Sequence, residues 1–287
     1  MELCELKPLS PYQALLLRKG SDRILIVADL HIGWEVSLSD RGIHIPSQTS
    51  RMLEKLAHLI KSEKPTSLVL LGDVKHAVSR VELEEWRDVP DFFDSLLALI
   101  ERVEVVPGNH DGNLEPLTPS AVKIHDSSGL ALWGTYGLFH GHAWPSIEVL
   151  SCKYLIMGHT HPVILLRDVL GFRAVKQVWV KAKCDSGVLA ASILNRMGLK
   201  VDGDPKALVK KRFGMDFKDP QCVIMPSLND FLGGQPINLR SEKAKGFPKG
   251  SYLGPVLRSG GVSINEGEVY LLDGTFLGSV EQLRRFS

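Results

Sequence analysis

The feature that most constrains the fold is the stretch Ser67 to His76, SLVLLGDVKH. Four consecutive apolar residues, Leu68 to Leu71, bounded by polar ones on both sides, suit a strand buried on both faces. The run ends in Gly72-Asp73, and open α/β sheets place ligands at the carboxyl ends of such strands. An Asp after a Gly is commonly no more than the start of a loop. Here two further strands end in the same way. Arg23 to Ala28 runs into Asp29-Leu30-His31, and Val103 to Val106 runs into Pro107-Gly108-Asn109-His110-Asp111.

Between these strands the spacing predicts helices. Gln48 to Lys61 carries Met52, Leu53, Leu56 and Leu59-Ile60 at helical spacing, with Ser47 as the N-cap. Val81 to Ile100 reads as helical with an interruption at Pro90. Strand, helix, strand, helix, strand is the signature of a parallel sheet. A strand over Tyr12 to Leu17 precedes it. Beyond residue 120 the texture becomes β-rich. Val122-Lys123-Ile124 and Leu130 to Trp133 flank Ser127-Ser128-Gly129, a hairpin signal. Tyr136 to Phe139 leads to His140-Gly141-His142, and Tyr154 to Met157 leads to Gly158-His159-Thr160-His161. Residues 185–221 interrupt the strands with two helical stretches, Gly187 to Met197 and Lys206 to Phe213. Asp204-Pro205 opens the second and Gly214 stops it. The simplest organisation is one domain over residues 1–287 with a basic helical insertion at 185–221.

Net charge is +1 over 287 residues, unevenly spread. Phe172 to Gly250 holds 15 Lys and Arg against 7 Asp and Glu, or +8, which leaves 19 against 26, or −7, elsewhere. A cation site beside a polyanion surface and a merely solvated basic insertion both fit that split. Cys4, Cys152, Cys184 and Cys222 form no CxxC, so neither a zinc knuckle nor a disulfide framework is indicated. The opening MELCELKPLS is unlike a signal peptide, and no run reaches the ~18 apolar residues of a membrane helix. A cytoplasmic protein with no membrane partner is expected. The scarcity of Asn and Gln, six each, hints at a thermophilic source.

Five tips thus carry Asp, Asn and His. Carboxylate, amide and imidazole together suit Mn²⁺, Fe or Zn²⁺ better than Ca²⁺, which prefers oxygen throughout. The ordered set DLH, GDVKH, GNHD, HGH, GHTH resembles the calcineurin-like metallophosphoesterases over about residues 23–165. The resemblance implies an α/β fold, a two-sheet β-sandwich core flanked by helices (αββα), and two divalent ions, Mn²⁺ first with Fe, Zn²⁺ or Ni²⁺ as alternatives. Carried over by position, Asp29, His31, Asp73 and His161 would hold one ion, and Asp73, Asn109, His140 and His159 the other. Asp73 would bridge them, about 3.5–4 Å apart. His140 is the expected ligand because the family's ligand immediately precedes Gly; His142 is expected beside it. A water between the ions would attack the phosphorus in line. His110 would face the leaving oxygen as a general acid or charge stabiliser, with Asp111 orienting its imidazole.

His76 stands where many members of the family carry Asp or Arg. It resembles the nuclease subunit of archaeal double-strand-break repair complexes, in which His is used there beside the GNHD histidine. ADLHIGWE, GDVKH and GHTHP look like the archaeal and bacterial phosphoesterases associated with DNA ligase and helicase proteins. That subgroup implies DNA or RNA as substrate and such proteins as partners. The basic insertion has no counterpart in the pattern. Phe213, Phe217 and Trp179 lie among its cations and are expected in the core rather than stacked on bases. A phosphomonoesterase, a cyclic-nucleotide phosphodiesterase and a protein-binding scaffold of the same fold are the alternatives.

Overall fold

The computed structural model describes residues 4–39, 42–78, 82–167, 171–239 and 254–286. The chain divides into two compact units, Met1–Asp126 with Ser227–Gly233, and Ser127–Pro226 with Gly234–Ser287.

The first unit contains β1 (Cys4–Pro8), β2 (Ala14–Lys19), β3 (Asp22–Val27), α1 (Val36–Ser39), α2 (Thr49–Glu63), β4 (Ser67–Leu71), α3 (Leu83–Leu97), β5 (Val103–Val106) and β6 (Lys123–Ile124). Its six strands lie side by side in chain order. β1, β2 and β3 are antiparallel, and β3 through β6 run parallel. Alternate residues of a strand share a face: Leu25 and Val27, Leu68 and Leu70, and Val103 and Val105 pack with Met52 and Leu56 of α2 and with Val89 and Phe92 of α3. Every residue of β4 is buried, as its unbroken apolar run requires.

Two details differ from the sequence expectation. α3 passes through Pro90 without a break. An interior proline costs roughly 3 kcal/mol, but the side chains around it, Val89, Phe92, Phe93 and Leu96, are all buried, each gaining about 1.5–3 kcal/mol by burial. Packing outweighs the lost hydrogen bond. α2 begins one residue later than expected, with Gln48 rather than Ser47 at its N-cap.

The second unit contains β7 (Leu130–Leu132), β8 (Tyr136–Leu138), α4 (Ile147–Leu150), β9 (Tyr154–Met157), β10 (Pro162–Arg167), β11 (Arg173–Lys183), α5 (Ser186–Arg196), α6 (Pro205–Phe213), β12 (Gln221–Ile224), β13 (Gln235–Pro236), α7 (Pro255–Arg258), β14 (Glu268–Leu271), β15 (Phe276–Ser279) and α8 (Val280–Leu283). The sheet order is β13-β10-β11-β12-β9-β8-β7, with β14 on β11 and β15 on β14. Val178, Val180 and Ala182 of β11 pack with Leu155 and Met157 of β9 and with Leu189 and Ile193 of α5.

The hairpin expected around Ser127-Ser128-Gly129 does not form. β6 pairs with β5, whereas β7 pairs with β8. The turn residues instead begin the second unit, and Gly129 at φ +97° packs so close to β8 that a Cβ would overlap the Leu138 carbonyl. Within 185–221, Asp185 caps α5 by accepting from the amides of Gly187 and Val188 at 2.8 and 3.0 Å. Asp204 caps α6, and Gly214 ends it at φ 71°. Trp179 and Phe217 are buried and Phe213 packs against the core of this unit, so none of the three is presented for stacking. The four cysteines form no disulfide; three are buried and Cys4 is half-buried. No helix among the described residues is long and apolar enough to cross a membrane.

Candidate metal centre

In the first unit, parallel β3, β4 and β5 bring three loops to one edge of the sheet. The first two loops are hydrogen-bonded along their length. Asp29 N donates to the Gly72 carbonyl at 3.1 Å, His31 N to Asp73 at 2.8 Å and Ile32 N to Val74 at 2.8 Å. Asp29, His31 and Asp73 all adopt left-handed backbone, φ 57°, 49° and 52°. Non-glycine residues enter that region at a cost of about 1–3 kcal/mol, and here the inter-loop bonds hold them there. The strain turns three buried side chains to one point. A nitrogen or oxygen of Asp29, His31 and Asp73 each lies within 4.8 Å of the others, and His31 Nε2 is 3.3 Å from Asp73 Oδ2.

The third loop closes on Asp73. His110 N donates to Asp73 Oδ1 at 2.8 Å. Gly108 is the point of closest approach: a Cβ there would overlap the Asp73 carboxylate and stand 2.5 Å from its backbone nitrogen. Asn109 Oδ1 is buried with no hydrogen-bond partner. A buried, unpartnered oxygen beside a carboxylate calls for an explanation, and a cation supplies it. Asp29, His31 and Asp73 therefore offer donors that can share a divalent ion, and the Asn109 oxygen is a further donor beside the Asp73 loop.

His110 and Asp111 depart from the expected pairing. His110 Nδ1 donates to the backbone carbonyl of His76. The Asp111 carboxylate instead accepts backbone amides, with Oδ1 taking Val74 N at 2.8 Å and Lys75 N at 3.3 Å and Oδ2 taking Gly108 N at 2.8 Å. Asp111 thus braces the Asp73 loop against the Asn109 loop, and the His76 carbonyl fixes the His110 ring. His31, His76 and His110 form a cluster, with ring centroids 4.6 Å apart for His31 and His110, 5.3 Å for His31 and His76, and 5.4 Å for His76 and His110. His31 Nδ1 faces His76 Nδ1 at 3.2 Å, so one of the two must carry the proton and the other accept it. Burial first, then His31 and His110, push the His76 imidazole down to about 4. His76 is neutral at pH 7.

Three supports of this edge carry no mark in the sequence. Glu85 of α3 is buried, and its Oε1 accepts from His76 N at 2.9 Å and Ala77 N at 2.6 Å. It also lies against Gly33, just past His31. Ser227 Oγ donates to the Asp29 carbonyl at 2.6 Å, and Asn229 Nδ2 to the Leu30 carbonyl at 3.1 Å. Ser227 and Asn229 lie some 200 positions away in the chain, and no local signal connects them to the DLH turn. The only available hint to Glu85 is its place three residues after Glu82, with which it forms a reciprocal helix cap.

In the second unit, parallel β8 and β9 carry the remaining histidines at their carboxyl ends. Phe139 N donates to Ile156 O and Gly158 N to His140 O, both at 3.1 Å, and lock the two tips together. His159 and His161 are again left-handed, φ 69° and 41°. Nitrogens of His140 and His159 lie within 4.8 Å of each other. Their rings are 5.0 Å apart, with His142 5.3 Å from His140. Gly141 gives the clearance. A Cβ there would come within 2.6 Å of Met157 Cε and 3.2 Å of His159 Cβ.

A family model described as calcineurin-like phosphoesterase matches residues 22–173, more than half of the chain and every tip described above. The chain belongs to the calcineurin-like phosphoesterase family. It is accordingly a hydrolase of phosphoester bonds, and its two sheets with flanking helices match that family's fold. The family uses a pair of divalent metal ions, for which this chain has the clustered His and Asp donors. Similar solved structures include the nuclease MPE of Pseudomonas putida, 17% identical, with 94% of this chain and 98% of that one covered and a TM-score of 0.49. Another is YfcE, a phosphoesterase from E. coli, 18% identical, with 50% of this chain and 73% of that one covered and a TM-score of 0.32. A search of the curated proteins finds no match.

Proposed function

We propose that the protein is a two-metal phosphodiesterase acting on DNA or RNA. The observation that carries this reading is the cluster of His31, His76 and His110 beside Asp73. An alkoxide leaving from a diester needs a proton, and a set of imidazoles next to the bridging carboxylate is suited to deliver it.

One ion would be held by Asp29, His31, Asp73 and His161, the other by Asp73, Asn109, His140 and His159, with Asp73 shared. The mixed donor set favours Mn²⁺, with Fe, Zn²⁺ and Ni²⁺ as alternatives. When bound, the ions activate water and neutralise charge on the phosphoryl oxygens. The side chains do the rest. With Nε2 of His31 as the atom that would hold the ion, its Nδ1–H would be donated to His76 Nδ1, fixing the ring as an outer partner of a metal ligand does. His76 accepts that proton and, through its carbonyl, holds the His110 ring. With Nδ1 of His110 committed, its Nε2 is the atom that faces the leaving oxygen. Asp111 keeps the Gly108 turn against the Asp73 loop. His142 lies beside His140 and supports its orientation.

The test is turnover with Mn²⁺ of a bis-aryl phosphate, an aryl monophosphate and single-stranded DNA. The diester and DNA are hydrolysed and the monoester poorly; turnover confined to the monoester overturns the reading. His110→Asn is expected to abolish hydrolysis with metal content unchanged. Association with DNA ligase or helicase proteins belongs to the same proposal, supported by the ADLHIGWE and GHTHP motifs, and is checked by co-purification. So does a cytoplasmic location, consistent with four cysteines that form no disulfide.

A further inference from the structure

β10 and β11 do more than complete the second sheet. β10 begins at Pro162, directly after His161, and runs in the same direction as β9, because β10 is antiparallel to β11, β11 to β12, and β12 parallel to β9. It therefore starts at the edge where β9 ends in the His159 turn, and continues outward from it. At about 3.3 Å per residue, Arg167 stands roughly 17 Å beyond that edge. The two strands leave the sheet as a ribbon. β14 and β12 pair with β11 only from Val178 onward, and β13 pairs with β10 only at Pro162 and Val163.

The outer part of the ribbon is cationic and exposed. Arg167 is directly opposite Arg173, both exposed, and like charges in that position destabilise a ribbon. Among the described residues neither guanidinium has an ion pair. Lys176 is exposed on the other face, and Phe172 and Val175 are 73% and 58% exposed. Residues 168–170 lie outside the described residues. A pair of opposed arginines has its repulsion relieved by an anion lying between them, and guanidinium groups match phosphate bidentately.

We propose that the β10–β11 ribbon is an arm that holds the phosphate backbone of a single-stranded nucleic acid flanking the scissile bond, through Arg167 and Arg173. The inference rests on the phosphodiesterase reading above. A second copy of the chain adding a strand to β10 is disfavoured by Asn238. Its side-chain amide accepts from Leu165 N at 2.9 Å and donates to Leu165 O at 2.8 Å, and so occupies the free edge of β10.

The test compares the Mn²⁺-loaded wild type with R167A/R173A and the conservative R167K/R173K. Turnover of a bis-aryl phosphate, too small to reach the ribbon, is unchanged in both. Binding of a phosphorothioate-linked thymidine 20-mer, read by fluorescence anisotropy at several salt concentrations, weakens roughly tenfold in R167A/R173A. Its logarithmic salt dependence becomes shallower by about 1.4, the loss of two phosphate contacts on a single strand. R167K/R173K retains most of the salt slope. A wild type that cleaves DNA while the alanine variant binds with the same slope overturns the arm alone. A wild type that neither binds nor cleaves the oligomer overturns the nucleic-acid reading and the arm with it. A concentration-dependent dimer abolished by F172D would place a second copy on the ribbon and overturn the proposal.

Discussion

Glu85→Ala removes one carboxylate and with it the acceptor of two backbone donors, Ala77 N at 2.6 Å and, through Oε2, Glu82 N at 3.1 Å. His76 N, 2.9 Å from Oε1, loses one of two acceptors and keeps the Ile32 carbonyl, also at 2.9 Å. The side chain is 1% exposed, so water does not simply replace it. A buried donor stripped of its partner costs about 1–3 kcal/mol. Allowing for water entering the space left behind, the variant is expected to lose about 2–4 kcal/mol, a fall in melting temperature of roughly 5–10 °C. The functional effect follows from the same bonds. His76 N is fixed by Glu85 and His76 O holds His110 Nδ1, so freeing this loop releases the His110 ring. A displacement of about 1 Å costs on the order of a hundredfold in rate, in kcat rather than KM, since Glu85 touches no substrate. Glu85→Gln keeps the carbonyl toward His76 and Ala77 and turns an amide toward Glu82 N, so it should fall between wild type and alanine on both scales. Urea unfolding and steady-state hydrolysis of a bis-aryl phosphate measure the two effects. An alanine variant that is destabilised as expected but keeps full kcat would show that the His76 carbonyl does not position His110. One that is neither destabilised nor slowed would refute the bonding altogether.

Gly108→Ala should slow hydrolysis and lower metal affinity together, because its Cβ would displace the Asp73 carboxylate; titration of the metal into apoprotein measures it, and wild-type affinity would count against the close approach. Asp73→Ala should empty both metal positions rather than one, which metal analysis of the purified variant reads as a fall to near zero per chain. The pair of Glu104 and His125, 2.6 Å apart, predicts a pH dependence away from the site. The hydrogen bond from His125 lowers the Glu104 carboxyl below its ordinary value of 4.5. A depressed carboxylate contributes stability above that ordinary value and loses it as pH falls toward the folded one. His125→Ala should therefore be less stable than wild type at pH 6, with the gap closing below about pH 4.5; a gap that widens on acidification would contradict the assignment.

The strand tips were readable because each is a local pattern, an apolar run that stops at Asp, Asn or His. DLH, GDVKH and GNHD end β3, β4 and β5, and HGH and GHTH follow β8 and β9. The cap of α6 was equally local, Asp204 accepting from the amide two residues ahead. The misreadings were of another kind. A turn signal at Ser127-Ser128-Gly129 fits a hairpin, yet which partner β6 and β7 choose depends on strands elsewhere. Pro90 looks like a break until the burial of Val89, Phe92 and Phe93 is counted. Adjacency pairs Asp111 with its neighbour His110, but amides from the Asp73 loop compete for its carboxylate and win.

By itself the sequence determined the family, the parallel order of β3, β4 and β5, and the donors offered to the metals. These follow from which residues stand next to one another along a strand. Only the tertiary structure decided which atom of each donor faces inward. The proton between His31 and His76, the carbonyl that holds His110, the grip of Glu85, Ser227 and Asn229 on the loops, and the register that sets Arg167 against Arg173 all join residues separated in the chain. A hydrogen bond is directional over less than an ångström, so its partner is chosen by where the backbone comes to rest, and no spacing in the sequence encodes that.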